Sequence, residues 1–278
     1  MAGMLYLVPT PIGNLGDISI RCRNALEQAD FIAAEDTRVT LKLLNHLEIR
    51  KPLVSYYEHN KAVSGPKIVE RILAGETCVL VSDAGSPAIS DPGEDLVRLC
   101  ASAGIIVSAI PGPCAAITAL SISALPTGRF CFEGFLSVNK KSRQEHLSSL
   151  LGEKRTMIFY EAPHKLQTTL QDMAAAFGAD RKISFCRELT KLHEEVLRMT
   201  LGEAVAYYEE NPPRGEFVLI VEGAKTAPAE EMTIDDAVQL VARQMENGIS
   251  KKDAVKQVAK DTGLAKNALY DAVLQQLG

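Results

Sequence analysis

Up to about residue 125, short apolar runs alternate with stretches whose apolar positions recur every three to four residues. Met4–Val8, Phe31–Ala34, Leu53–Ser55, Cys78–Val81 and Ile105–Ile110 are short, continuous and bounded by turn residues, the pattern of buried strands. Between them Ile18–Gln28, Thr40–His46, Lys61–Leu73, Glu94–Ala103 and Cys114–Ser121 carry the helical period. Strand-helix alternation predicts a parallel sheet covered on both faces. Beyond "ALPTG", Ala124 to Gly128, strands are predicted at Arg129–Gly134, Thr156–Tyr160, Lys182–Arg187, Glu195–Met199 and Glu216–Val221, with helices at Ser142–Leu151, Pro163–Phe177 and Gly202–Glu209. No helix fits between Arg187 and Glu195, so this second sheet is expected to be mixed. "AKTAPAEEM" then reads as a linker. Ile234–Glu246, Lys251–Asp261 and Ala265–Gln276 follow with a helix-turn-helix rhythm, Ser250 placed to cap the second helix and Gly263 to end the turn before the third. The chain is therefore read as α/β, with domains at 1–125 and 126–223, a linker at 224–231 and a small C-terminal helical unit at 232–278.

Composition adds limits. The 278 residues are 46% hydrophobic and 23% charged, ordinary globular values with room for two domains and a small extra unit. The net charge of −5 argues against a general nucleic-acid coat but leaves a local basic patch open. The six cysteines form no C-x-x-C pair and have no neighbouring His, so they read as reduced, buried thiols of a cytoplasmic protein, and no metal site is expected. "MAGMLYLVPT" lacks a basic leader and reaches Pro9 before a signal core could form. No apolar run approaches the roughly 18 residues of a membrane span.

The chemistry lies in the loops. In a parallel sheet all strand carboxyl ends share one edge, where ligands bind. The unusual stretches fall there: "PTPIGNLGD" from Pro9, "EDTR" from Glu35, "YYEHN" from Tyr56, "SDAGSPAISDPG" from Ser82 and "PGPCAA" from Pro111. Neither the dinucleotide fingerprint G-x-G-x-x-G nor G-x-x-x-x-G-K-[ST] is present. Loops rich in Pro, Gly, Ala and Ser and poor in Lys and Arg neutralise a pyrophosphate badly. They do let backbone groups approach a flat ring and a ribose, as in an adenosine-type ligand.

Taken in order, "LYLVPTPIGNLGDIS", "AEDTR", "LVSDAGSPAISDPG", "IPGPCAA", "FYEAPHKL", "CRELTK" and "GEFVLIVEG" resemble the tetrapyrrole-methylase-like (class III) methyltransferases, and most closely their ribosomal-RNA branch. The resemblance runs from Met4 to about Gly223, and the terminal "KNALY" matches too. It implies transfer of a methyl group from S-adenosylmethionine to the ribose 2′-hydroxyl of a cytidine in the decoding region of 16S rRNA, by a cytoplasmic homodimer that acts on the small ribosomal subunit and not on DNA or a membrane. The donor would lie between the two α/β domains. Residue by residue, the family's donor contacts fall on Pro11, Ile12 and Gly13, on Asp83, Ala84, Gly85, Ser86 and Ile89, on Cys114 and Ala115, and on Glu161 and Leu189. Asn14 and Ser86 stand where the tetrapyrrole enzymes carry Asp, which weakens a porphyrinoid substrate.

A ribose hydroxyl needs help to lose its proton. Glu35, Asp36, Arg38, His59, Asp83, Glu161, Glu188 and Lys191 are candidates, with Asp36 or Glu161 placed at the hydroxyl and Arg38 at a phosphate. Each has a structural alternative: helix capping for Glu35 to Thr37, loop ordering for Asp83, an ion-pair set for Arg187, Glu188 and Lys191. RNA contact is assigned to Arg38, to Lys140, Lys141 and Arg143, and to Lys251, Lys252, Lys266, Asn267 and Tyr270, the alternative being a solvated lysine face diluted by Asp253, Asp261 and Asp271. Two other functions compete: methylation of a porphyrinoid or another small molecule, and a non-catalytic RNA-binding assembly factor that keeps the fold.

Overall fold

The computed structural model describes residues 3–225 and 232–277. Most of the predicted linker therefore lies outside the described residues. The chain forms two compact units, Met1–Ala224 and Lys225–Gly278.

The first sheet has the order β3-β2-β4-β1-β5 and is parallel throughout. Its strands are β1 Met4–Leu7, β2 Phe31–Ala34, β3 Leu53–Ser55, β4 Cys78–Val81 and β5 Ile106–Ala109. Alternation along β2 and β4 explains its two covered faces. Ile32, Ala34, Val79 and Val81 pack on α1 (Ile20–Gln28) and α2 (Thr37–His46). Phe31, Ala33, Cys78 and Leu80 pack on α3 (Lys61–Leu73) and α4 (Gly93–Ser102). Each buried Leu or Ile contributes about 1.5–3 kcal/mol of transfer free energy to this sandwich.

The second sheet, ordered β6-β7-β10-β8-β9, is mixed as expected. It comprises β6 Phe130–Phe135, β7 Thr156–Glu161, β8 Lys182–Arg187, β9 Glu195–Thr200 and β10 Phe217–Val221. Only β6 and β7 run parallel, because α6 (Lys140–Ser149) supplies their crossover. One face packs on α6, α7 (Pro163–Phe177) and α8 (Leu201–Glu210). The other is covered by α5 (Ala115–Ile122), which follows β5 in the chain. Ala116, Ala119 and Leu120 of α5 meet Ile158, Cys186, Val218 and Ile220. The two sheets are thus joined by a shared helix.

The C-terminal unit is three helices, α9 Ile234–Glu246, α10 Lys251–Thr262 and α11 Lys266–Leu277, around Val238, Val241, Val255, Val258, Leu269 and Val273. Ser250 caps α10 through the amide of Asp253, and Gly263 ends it in the left-handed region at φ 74°.

Several element limits shift by one to three residues from expectation, and two helix starts among them move for one local reason. Helix α2 starts at Thr37, not Thr40, because the Asp36 carboxylate accepts the Arg38 amide and caps it early. Helix α6 starts at Lys140, not Ser142, because Asn139 accepts the Ser142 amide.

Candidate functional site

The loops at the carboxyl edge of the first sheet are stitched together. After β1 and β4, Thr10 and Gly85 exchange both backbone hydrogen bonds at 3.0 Å. The Ser86 hydroxyl donates to the Pro113 carbonyl at 3.0 Å, tying in the loop after β5. Asp83 Oδ1 accepts the Asp36 amide at 3.0 Å, tying in the loop after β2. Gly85 sits at φ +82°, and Ala88 and Ser90 also lie in the left-handed region, at 66° each. Strained backbone of this kind persists only where the surroundings fix it. Asp91 helps by accepting the amides of Ala88 and Gly93 at 3.0 and 2.7 Å, so it shapes the loop and the entry to α4.

Against these loops stands the rim of the second sheet. Gly13 lies too close to it for any side chain: a Cβ there would lie 2.5 Å from Lys191 Cγ, 2.8 Å from Thr190 Oγ1 and 3.0 Å from the Leu189 carbonyl oxygen. Glu188 and Thr190 flank that carbonyl with positive φ. Lys191 braces the segment through ion pairs of 2.9 Å to both Glu188 and Glu216.

Between the two walls lies a cavity of about 540 Å³, within the range of a whole-ligand site. Ile12, Asp83, Ala84, Gly85, Ser86, Ile89, Cys114, Ala115, Glu161 and Leu189 all line it. Of the residues assigned to the donor, only Pro11 and Gly13 do not: Pro11 lines a smaller neighbouring cavity and Gly13 is spent on the contact with Leu189. Among the described residues the lining holds five carboxylates, Glu35, Asp83, Asp91, Glu161 and Glu216, and no Lys, Arg or His. Burial and then the charges of Asp83, Asp91 and Asp36 hold the Glu35 carboxyl above its ordinary range. No side-chain hydrogen bond engages Glu35 among the described residues.

The two acids placed at the hydroxyl are differently circumstanced. Asp36 grips Arg38, with Oδ2 2.6 Å from a guanidinium nitrogen, and the hydrogen bonds from Arg38 pull its carboxyl down to about 2. Glu161 is buried, and both its oxygens are used, one by the Ala162 amide at 2.8 Å and one by the Thr169 hydroxyl at 2.5 Å. Both carboxylates are tied to other groups, which disfavours either as proton acceptor.

Tyr160, in "FYEAP", carries no sequence signal of its own for the site. It lines the cavity beside Phe135, accepts the Ala116 amide at 3.2 Å, and has its hydroxyl pushed up to about 12 by burial. Phe132 and Phe135 hold its ring at centroid distances of 5.0 and 5.5 Å.

The basic residues divide. Lys140 and Lys141 are exposed on α6. Arg143 is a correction: its side chain is 9% exposed, pairs with Asp172 at 2.6 Å and donates to the carbonyls of Ser137 and Val138. A guanidinium so committed is not free for RNA. In the C-terminal unit Lys252, Lys266, Asn267 and Tyr270 are exposed and Lys251 is half-buried.

Residues 4–205 match the family of Tetrapyrrole (Corrin/Porphyrin) Methylases, and residues 231–277 match the RsmI C-terminal HTH domain. The chain is 50% identical over 277 residues to the ribosomal RNA small subunit methyltransferase I of Halalkalibacterium halodurans, covering 99% of this chain and 96% of that one. It is 46% identical to the protein of the same name from Synechocystis sp., covering 98% of each. Among solved structures, the methyltransferase CobJ superposes with a TM-score of 0.61 at 18% identity, over 82% of this chain and 98% of that one, a likeness of fold.

Proposed function

Because this chain belongs to the Tetrapyrrole (Corrin/Porphyrin) Methylase family and, along its whole length, to the ribosomal RNA small subunit methyltransferase I group, we propose that it methylates the ribose 2′-hydroxyl of a cytidine in the decoding region of 16S rRNA, with S-adenosylmethionine as donor. The observation that carries this is the end-to-end identity, which includes the C-terminal unit. That unit also favours RNA over a porphyrinoid.

The cleft fits the donor on chemical grounds. A sulfonium and an ammonium against one carboxylate make the donor net cationic, and a wall of five carboxylates, of which Glu216 is paired with Lys191, suits it. Ala84, Gly85, Cys114 and Ala115 are small enough for backbone groups to reach a ring and ribose. Bound there, the donor supplies an activated methyl for in-line displacement. Ile12, Asp83 to Ser86, Ile89, Cys114, Ala115 and Leu189 hold it, and Gly13 closes the contact between the walls. Glu161 fixes the entry to α7 and shapes the pocket. Glu35 takes the hydroxyl proton, since a raised carboxyl pKa with no competing partner is the better base here. Asp36 orients Arg38 toward a phosphate. Lys140, Lys141, Lys251, Lys252, Lys266, Asn267 and Tyr270 contact RNA. The domain limits 1–125 and 126–223, homodimerisation and a cytoplasmic location belong to the same proposal. No helix among the described residues is long and apolar enough to cross a membrane.

The test is methylation of small subunits that lack the modification, using labelled donor and alkaline hydrolysis. A 2′-O-methyl removes the nucleophile of alkaline cleavage, so the labelled cytidine emerges in an alkali-resistant dinucleotide. Label released as a mononucleotide would contradict ribose methylation.

A further inference from the structure

On the far side of the loop from Ser82 to Asp83 lies a second cavity, of about 230 Å³. It shares Ser82 and Asp83 with the donor cleft, so one loop separates the two. Its volume is below the roughly 300–1,000 Å³ of a whole-ligand site, the size of a subsite. Leu15, Val39 and Leu43 give it an apolar floor, and Leu15 and Val39 stay 46% and 38% exposed. Lys42 and His46 of α2 line it as well. Both are exposed, and no ion pair holds either among the described residues, whereas Arg38, one turn earlier, is paired with Asp36.

Arg38, Lys42 and His46 recur every four residues and so form one row along α2, stepping about 6 Å each time. That step resembles the distance between successive phosphates of an extended strand. An apolar floor beside such a row suits one unstacked base, the form in which RNA is read by sequence.

The geometry points to a nucleotide subsite: we infer that Lys42 and His46 hold the single-stranded RNA segment next to the methylated nucleotide, its base on Leu15 and Val39 and its phosphate on Lys42. This rests on the proposed rRNA activity and goes beyond it. Charge decides the occupant, because a neutral or cationic ligand gains nothing from the row. The shared loop decides its place, because a ribose reaching the donor cleft puts its neighbour within one nucleotide of Asp83.

The experiment is steady-state methylation of unmodified small subunits by wild type, Lys42→Ala, the Lys42→Ala/His46→Ala double variant and, as a control lysine on α3, Lys67→Ala. Donor titration reports folding. The double variant is expected to raise KM for the subunit about tenfold with donor affinity unchanged, and Lys42→Ala to reduce the slope of log K against log salt by about 1. Lys67→Ala is expected to match wild type. Active wild type with unaltered KM and slope in both variants overturns the subsite alone. A wild type that methylates no subunit overturns the activity, and the subsite with it.

Discussion

Replacing Arg143 with Ala tests whether this residue serves the fold or the RNA. The guanidinium joins α6 to α7 through Asp172 at 2.6 Å and satisfies two carbonyls, at 3.0 Å (Ser137) and 3.2 Å (Val138). The two side chains are only 9% and 16% exposed, so solvent screens the pair weakly. Breaking a buried pair by removing one partner costs about 3–5 kcal/mol, because the survivor is left as an uncompensated charge. Some exposure remains, which favours the lower end, about 3 kcal/mol. For a folded unit of this size, at roughly 2–4 °C per kcal/mol, Tm falls by about 6–12 °C. Asp172→Ala should cost a similar amount. The double variant should cost less than the sum, since neither charge is then stranded. The assay is thermal unfolding of the full chain, with RNA affinity measured against salt. The salt slope should be unchanged in Arg143→Ala, while Lys140→Ala/Lys141→Ala should lower it by up to about 2 at unchanged Tm. Wild-type Tm with a reduced salt slope in Arg143→Ala would refute the structural role.

Glu35→Gln should lower kcat about 100-fold or more, a far larger loss than in donor affinity, in line with loss of a general base; wild-type kcat would remove Glu35 from the chemistry. Folding raises this carboxyl above its ordinary 4.5. Its contribution to stability is therefore complete below that value and is lost as pH rises through the raised one. Unfolding at neutral pH should find Glu35→Gln more stable than wild type, and the gap should close on acidification. Gly85→Val places a branched side chain at φ +82° with its Cβ 3.3 Å from Ile12, and should weaken donor binding about tenfold by calorimetry; unchanged affinity would mean the loop does not lie against the donor. A chain ending at residue 224 should bind donor normally but fail to methylate subunits, as read by label incorporation.

Much of the fold could be read from periodicity, because the central strands β2 and β4 of the first sheet are buried on both faces and are uninterrupted apolar runs. Phe31–Ala34, Lys61–Leu73, Pro163–Phe177, Lys182–Arg187 and Ile234–Glu246 are observed with their predicted limits. The starts of α2 and α6 moved where a side chain caps the helix, while the ends of β1 and β5 and the start of α5 shifted by a residue without one. The place of the cavity was legible because the loops after β1, β2, β4 and β5 share one edge, its individual lining residues came from the family resemblance, and the loop after β3, Tyr56 to Asn60, does not line it. What escaped depends on partners distant in sequence. Arg143 looks like its lysine neighbours until Asp172, 29 residues on, is folded against it. Glu161 looks like a free acid until Thr169 takes one of its oxygens. Lys42 and His46 sit on an ordinary amphipathic helix, and only the loops after β1 and β4 turn their side of it into a cavity.

The most direct test of the proposed activity is mass spectrometry of 16S rRNA from a strain lacking this protein, with and without the gene restored. The prediction is that one ribose-methylated cytidine of the decoding region disappears in the deletion strain and returns with the wild-type gene. An unchanged ribose-methylation pattern in the deletion strain would contradict it.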